Sequence, residues 1–399
     1  MHEVYAAYLE HPIGVVPIDL QTWRGTTLVP TAVRAAQRLV AGAKGTVAPD
    51  GAALAVLEDG RIVALFCVPN DDIQVFAAPT GAVGFVATMS EGFLTSLFSV
   101  LAGLWTQPGV MAGIGHVAPL AKPTAFPDLA PGLEHLAWSL QTQRESRNDR
   151  RPESLERADW LRLARCATRE ITGPILNDRL AAMDRTRRAL FEASFLAAVN
   201  FTWLHELAHI LRGHLDTTVF RQRRLDMAET TPAVEPAMPA AAPAAPDVST
   251  ATLSAFHYGA EVEADAWAAR RLAAQREHGG DGDRICARLI GITAVFILLH
   301  GKNVLLDQPD HALKHPPIWY RAILTMRNAA PPSQFERILG ELQAIADVHP
   351  LFGEWLDPIA RGDGFRATAT LEAKVVAEFE PWIAELAGLR QSFACAQDR

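Results

Sequence analysis

The strongest chemical signal in the chain is the run His205-Glu206-Leu207-Ala208-His209. On a helix, residues four apart lie on one face about one turn apart, so the two imidazoles stand side by side. Two such nitrogens can grip one Zn²⁺ at about 2.0–2.1 Å each. Glu206, one residue along, is set beside the ion and not at it, where a base for a zinc-bound water belongs. The flanks suit a helix: residues 189–204 are apolar and helix-forming, and Gly213 suits a C-cap just after the motif. A mere polar patch would leave two histidines and a glutamate on apolar turns in need of partners. Metal binding is therefore the expected reading.

A catalytic zinc takes a third protein ligand and keeps a fourth position open. The extended HExxHxxGxxH spacing fails here, because Arg212 and Leu215 stand where its glycine and third histidine belong. His214 is one residue out of register and is expected to cap the helix end, where a cation suits the dipole. A better source is the run from His257 to Asp265. Its Glu261 and Asp265 are four apart on one helical face, and Glu263 points away from it. One carboxylate can bind the ion while the other holds a ligand histidine by its distal N–H. A third patch runs from His311 to Arg321, where Pro316 and Pro317 fix the entry to a helix. His315, Tyr320 or Arg321 could there donate to the oxyanion formed in peptide attack.

These residues need elements to position them. Ala53–Glu58 and Arg61–Val68 are β-branched, apolar runs around Asp59-Gly60, which predicts a hairpin. Ile73–Ala77 and Ala82–Thr88 around Pro79-Thr80-Gly81 predict a second, and Ser90 then caps a helix running through Leu104. Pro174 suits a first helical turn, and the pattern runs without a breaker to Gly213. Helices are expected over Gly259–His278, Arg284–His300, Pro317–Asn328, Ser333–Asp347 and Leu371–Leu389. The Pro/Ala stretch within 230–247 cannot build a core and reads as a mobile loop. Four parts follow: 1–106 with hairpins and a helix, a helical insertion at 107–185, a catalytic core at 186–330, and a C-terminal helical region at 331–399.

Composition narrows the class. The 399 residues are 49% hydrophobic and 21% charged, which excludes global disorder, collagen and coiled coils. Lys+Arg 37 against Asp+Glu 45 gives −8, so no whole-chain footprint for nucleic acid exists. The Arg-rich segment 144–188 is also rich in acids and reads as a solvated helical face. Cys67, Cys166, Cys286 and Cys395 form no CxxC, which predicts a reducing compartment. No basic region followed by a long apolar run opens the sequence, so no signal peptide is expected and the location is read as cytoplasmic. Gly92–Ala121 lacks charges, but its apolar core is short and broken at Pro108; with Ile290–Leu299 it reads as buried core, without stable membrane insertion.

HELAH, EVEAD and HPP-x-x-x-R, in that order, resemble the zinc peptidases of the glutamate-ligand class, the gluzincins, in the pattern of the HtpX and CAAX-prenyl-protease type. The run from Val75 into Gly92-Phe93-Leu94 is similar to that group's Asn-Ala-Phe-Ala-x-Pro hairpin and following helix, with Val75 in place of Asn. The resemblance covers residues 73–105 and 186–328. By motif position it implies His205, His209 and Glu261 as ligands of one Zn²⁺ per chain and Glu206 as base. It also implies Asp265 as the carboxylate behind a ligand histidine, with His315 and Arg321 on the substrate side. The spanning helices of the group's membrane members have no counterpart, which implies a soluble relative such as the cytoplasmic Lit-type phage-exclusion peptidases. The expected fold is α+β and predominantly helical: a zincin-like metallopeptidase core, a small N-terminal hairpin sheet and C-terminal helices. The expected activity is zinc-dependent endopeptidase action on a protein or peptide. The alternatives are a latent regulatory or phage-defence peptidase awaiting a signal, and a non-catalytic metal-binding protein; the intact Glu206 argues against the last.

Overall fold

The computed structural model describes residues 28–41, 45–47, 52–57, 60–68, 73–79, 84–120, 129–147, 172–215, 250–274, 282–305, 318–331 and 334–353, with the single positions 316 and 384. The fold is mainly helical with one small sheet. Helix α1 (Leu28–Ala41) precedes strands β1 (Thr46–Val47), β2 (Ala53–Val56), β3 (Ile62–Val68), β4 (Val75–Pro79) and β5 (Gly84–Ser90). Helices α2 (Glu91–Trp105), α3 (Glu134–Arg147), α4 (Arg185–Leu211), α5 (Thr250–Ala274), α6 (Gly282–Leu305), α7 (Ile318–Ala329) and α8 (Phe335–Val348) follow.

The sheet order is β1-β2-β3-β5-β4. Both expected hairpins form: β2 pairs antiparallel with β3, and β4 with β5. The second hairpin turns back between its own first strand and β3, so β5 lies parallel to β3 and β4 becomes the edge. Side chains alternate between the two faces, as the strand period of two requires. Val63, Leu65, Phe85, Ala87 and Met89 enter the main core with the helices, while Ala64, Phe66, Val68 and Val86 form a smaller cluster on the other face.

Ser90 ends β5 and starts α2, its hydroxyl accepting the Phe93 N–H at 3.0 Å. Helix α2 ends at Trp105, whose indole N–H is donated to Ser194 Oγ of α4 at 3.1 Å. The carbonyls at and past its end have lone pairs left to fill. Arg187 of α4, 2% exposed, takes them up, donating to the carbonyls of Trp105, Gln107, Val110, Met111 and Ile114. Trp203, also buried, donates its indole N–H to Ala32 O and so fastens α1 to α4.

Helix α6 is the centre of the helical layer. Among the described residues it is the one helix long and apolar enough to cross a membrane, yet 83% of its most apolar window is buried inside the protein. It packs on α4 so closely that a Cβ at Gly291 would lie 2.0 Å from Ser194 O. Only glycine permits that approach.

Several expectations need correction. The helix expected to run unbroken from Pro174 to Gly213 stops after residue 182. Met183 bridges Val117, and Asp184 caps a new helix with its carboxylate on the Arg187 N–H at 2.8 Å and the His116 N–H at 2.6 Å. A short acidic side chain can outbid the helix for backbone donors, which is why Asp favours caps over interiors. Two arginines of the supposedly solvated 144–188 segment are buried: Arg187 as above, and Arg179 in an ion pair with Glu134. Pro79 belongs to β4 and not to the turn, and α5 begins at Thr250 and not at Gly259. Residues 1–27, 148–171, the 230–247 loop, His311, His315 and, apart from position 384, the helix expected over 371–389 lie outside the described residues.

Candidate metal centre

The last two turns of α4 carry His205, Glu206 and His209, all buried. Helix α5 lies across them and contributes Glu261 and Asp265, and α7 brings Arg321. His205 Nε2 and His209 Nε2 stand 3.1 Å apart. Glu261 closes the triangle, with Oε2 3.4 Å from His205 Nε2 and Oε1 3.3 Å from His209 Nε2. His205, His209 and Glu261 are thus a buried group able to hold a metal ion. Tetrahedral bonds of about 2.0–2.1 Å separate donor atoms by about 3.3 Å, so the triangle has the size such an ion needs.

The outer nitrogen of each ring has one polar neighbour. His205 Nδ1 faces Asp265 Oδ1 at 2.9 Å, and His209 Nδ1 lies 3.0 Å from His214 Nδ1. With its hydrogen on Nδ1, His209 turns its Nε2 lone pair towards His205 Nε2 and the Glu261 carboxylate, a buried point where a metal ion could replace the His205 proton. Burial pulls the His205 imidazole down, but the Asp265 and Glu261 carboxylates outweigh it and hold its pKa up at about 10.

Asp265 is 0% exposed and Arg321 compensates it, with Nε 2.7 Å from Oδ2 and Nη2 3.0 Å from Oδ1. Burial alone would raise the Asp265 carboxyl; Arg321 and His205 overcome this and hold it below its usual value. Arg321 Nη2 also lies 2.8 Å from Glu261 Oε2. The resemblance set Arg321 on the substrate side; its guanidinium lies on the two carboxylates. Tyr320 is buried in the main core. Burial pushes the Glu206 carboxyl above the usual carboxylate range, against the opposing pull of the two histidines.

Two further residues join the site against expectation. The spacing makes His214 a helix cap and turns Glu263 away from the Glu261–Asp265 face; Glu263 does meet other partners than that face, but both residues are buried and paired with each other. Helix α4 ends in a Schellman turn: His214 N–H is donated to His209 O at 3.0 Å, Gly213 N–H to Ile210 O at 3.1 Å, and Gly213 sits at φ +71°. The turn folds His214 back onto the helix end and its ring onto His209. Glu263 meets it there, Oε2 lying 3.0 Å from His214 Nε2, while Oε1 accepts Arg212 Nε at 2.9 Å and Nη2 at 2.7 Å. The signal available in the sequence was the glycine at 213, which dictates the direction of the next side chain.

Neither thiol among the described residues belongs to the site: burial pushes Cys67 up to about 12 and Cys286 up to about 11. Comparison with family models, with curated proteins and with solved structures gives no match for the chain.

Proposed function

We propose that the chain is a zinc-dependent metalloendopeptidase with a zincin-like core, in which His205, His209 and Glu261 hold the ion. The observation that carries this reading is the buried Glu206 on the same helix as His205 and His209, next to the group they form with Glu261. A structural zinc closes its fourth position with another ligand and has no use for such a carboxylate. Bound zinc supplies a Lewis acid for the scissile carbonyl and lowers the pKa of water towards about 7. Glu206, its carboxyl raised by burial, takes the proton of the attacking water and returns it to the leaving amine. Arg321 is committed to Asp265 and Glu261, so it acts through them as a positioning residue. His315, of the same segment, is left as the proposed donor to the oxyanion.

The substrate side is the sheet edge. β4 ends the strand order and packs against α4, and an extended peptide can add to such an edge through backbone hydrogen bonds. A protein or peptide is therefore the proposed substrate. The buried, unbridged thiols of Cys67 and Cys286 fit the reducing cytoplasm proposed as its location.

The test is zinc per chain, by elemental analysis, on wild type and Glu261→Ala, alongside digestion of a peptide library. One zinc in wild type, clearly less in the variant, and cleavage stopped by a chelator would support the reading. No zinc after reconstitution would end it.

A further inference from the structure

The geometry points to His214 and Glu263 as positioning residues for the metal: a two-residue relay that locks His209 in the tautomer presenting Nε2 to the ion. The inference deepens the metal-site reading and rests on it. It does not require the peptidase activity.

For a neutral His214 the chain of hydrogen bonds has one direction. Glu263 is anchored through Oε1 by the Arg212 guanidinium, which leaves Oε2 for His214 Nε2 at 3.0 Å. A carboxylate only accepts, so the hydrogen of this bond sits on His214 Nε2. The neutral ring then has its lone pair at Nδ1, and the 3.0 Å contact to His209 Nδ1 makes His209 the donor. His209 Nε2 is left without a hydrogen, 3.1 Å from His205 Nε2 and 3.3 Å from Glu261 Oε1. The two rings meet at 69° with centroids 5.0 Å apart, an edge approach that an in-plane N–H···N bond demands.

The two ligand histidines are thus supported differently. His205 faces a carboxylate directly, whereas His209 reaches one through a second imidazole. The backbone prepares this arrangement: the Schellman turn at Gly213 sets His214, and α5 delivers Glu263 from the position two residues after the third ligand. His214 is 1% exposed and Glu263 8% exposed. At its far end the Arg212 side chain is 45% exposed, so solvent reaches only the anchor of the relay.

Two measurements test it on the full chain: zinc affinity by competition with a chromogenic chelator, and long-range ¹H–¹⁵N spectra of the imidazoles in the metal-free protein. The variants are Glu263→Ala, the isosteric Glu263→Gln, and His214→Ala. Loss of an outer partner of a ligand histidine costs about 10–100-fold in metal affinity, and that is the loss expected for Glu263→Ala and His214→Ala. Glu263→Gln, whose single amide oxygen can accept from His214 or from Arg212 but not from both, is expected to lose less than Glu263→Ala and serves if Glu263→Ala unfolds. The wild-type spectra should show His214 as the Nε2–H tautomer and His209 as the Nδ1–H tautomer, and Glu263→Ala should scramble the first. A purely structural role would shift melting temperature without touching tautomer or affinity. Variants that bind zinc within twofold of wild type, or an Nδ1–H tautomer at His214, would overturn the relay alone. A wild type that takes up no zinc would overturn the metal-site reading itself.

Discussion

Arg321 holds Asp265 with both arms of its guanidinium, Nε to Oδ2 at 2.7 Å and Nη2 to Oδ1 at 3.0 Å, where Asp265 is sealed from solvent. The planar fork matches the carboxylate, and such bidentate pairs are the strong ones. The same Nη2 reaches Glu261, so one cation offsets two buried anions on neighbouring turns of α5. Removing one partner of a buried pair costs about 3–5 kcal/mol, because the other charge is left uncompensated. Arg321→Ala is accordingly expected to lose that much in urea denaturation of the metal-free protein. Arg321→Lys, with charge but no fork, should fall between. A loss under about 1 kcal/mol for Arg321→Ala would mean that the pair stabilises no more than an exposed one.

Glu206→Gln separates binding from chemistry. The amide keeps the size of the side chain and lies beside, not within, the His205–His209–Glu261 group. Zinc content and affinity should stay at the wild-type level. Peptide cleavage should fall by at least about 100-fold, the low end for losing a general base. Full cleavage by the variant would remove Glu206 from the proposed role.

The legible part of this site was what one helix can encode. His205, Glu206 and His209 declare themselves by spacing alone, and Glu261 with Asp265 by the same rule on α5. What connects helices was not legible. That Arg321 would turn to the carboxylates depends on how α7 packs on α5, and no spacing within either helix contains that angle. His214 fell outside the helical rule because the left-handed Gly213 redirects the chain just before it, and Glu263 because its partners stand on another helix. The hairpins were legible from their turns and alternation, but the insertion of β5 between β3 and β4 was not, since sheet order is a tertiary choice. Asp184 shows the opposite failure: a cap signal sat in the sequence, hidden by helix-forming neighbours on both sides.

Gly291 probes the α4–α6 contact that supports the metal-bearing helix. A methyl there would meet backbone, Ser194 O at 2.0 Å, and not the movable end of a side chain. Close-packed interiors respond to overpacking with shifts that cost about 1–3 kcal/mol, and more where backbone must move. Gly291→Ala should therefore lose at least about 2 kcal/mol by urea denaturation. Gly340→Ala, whose added carbon meets nothing within 4 Å, is the helical control and should be neutral or better. Equal stability for both variants would show that the two helices separate freely.

Acid should destabilise the metal-free protein well above the range where carboxylates titrate. Burial pushes three histidines down to about 4: His135 on α3, His300 on α6 and His349 after α8, the last also lowered by the charge of His300. An unfolded histidine titrates near 6.5. Between that value and about 4 the unfolded chain binds protons that the folded one refuses, so stability rises with pH there. Their contribution is whole above pH 6.5 and is lost as pH falls towards 4, at up to about 1.4 kcal/mol per pH unit for each ring. His205, held up at about 10, adds no slope in this window, because it is protonated in both states below 6.5. Glu206, raised by burial, works weakly the other way, and Asp265, held low, gives up its contribution only below its unfolded value near 3.9. Urea midpoints taken at pH 7.5, 6.5, 5.5 and 4.5 with chelator present should fall steadily after the second point. His349→Gln, which removes one titrating ring at a site with no solvent access, should flatten that fall. A wild-type profile level from 7.5 to 4.5 would mean that these rings take up protons without unfolding the chain.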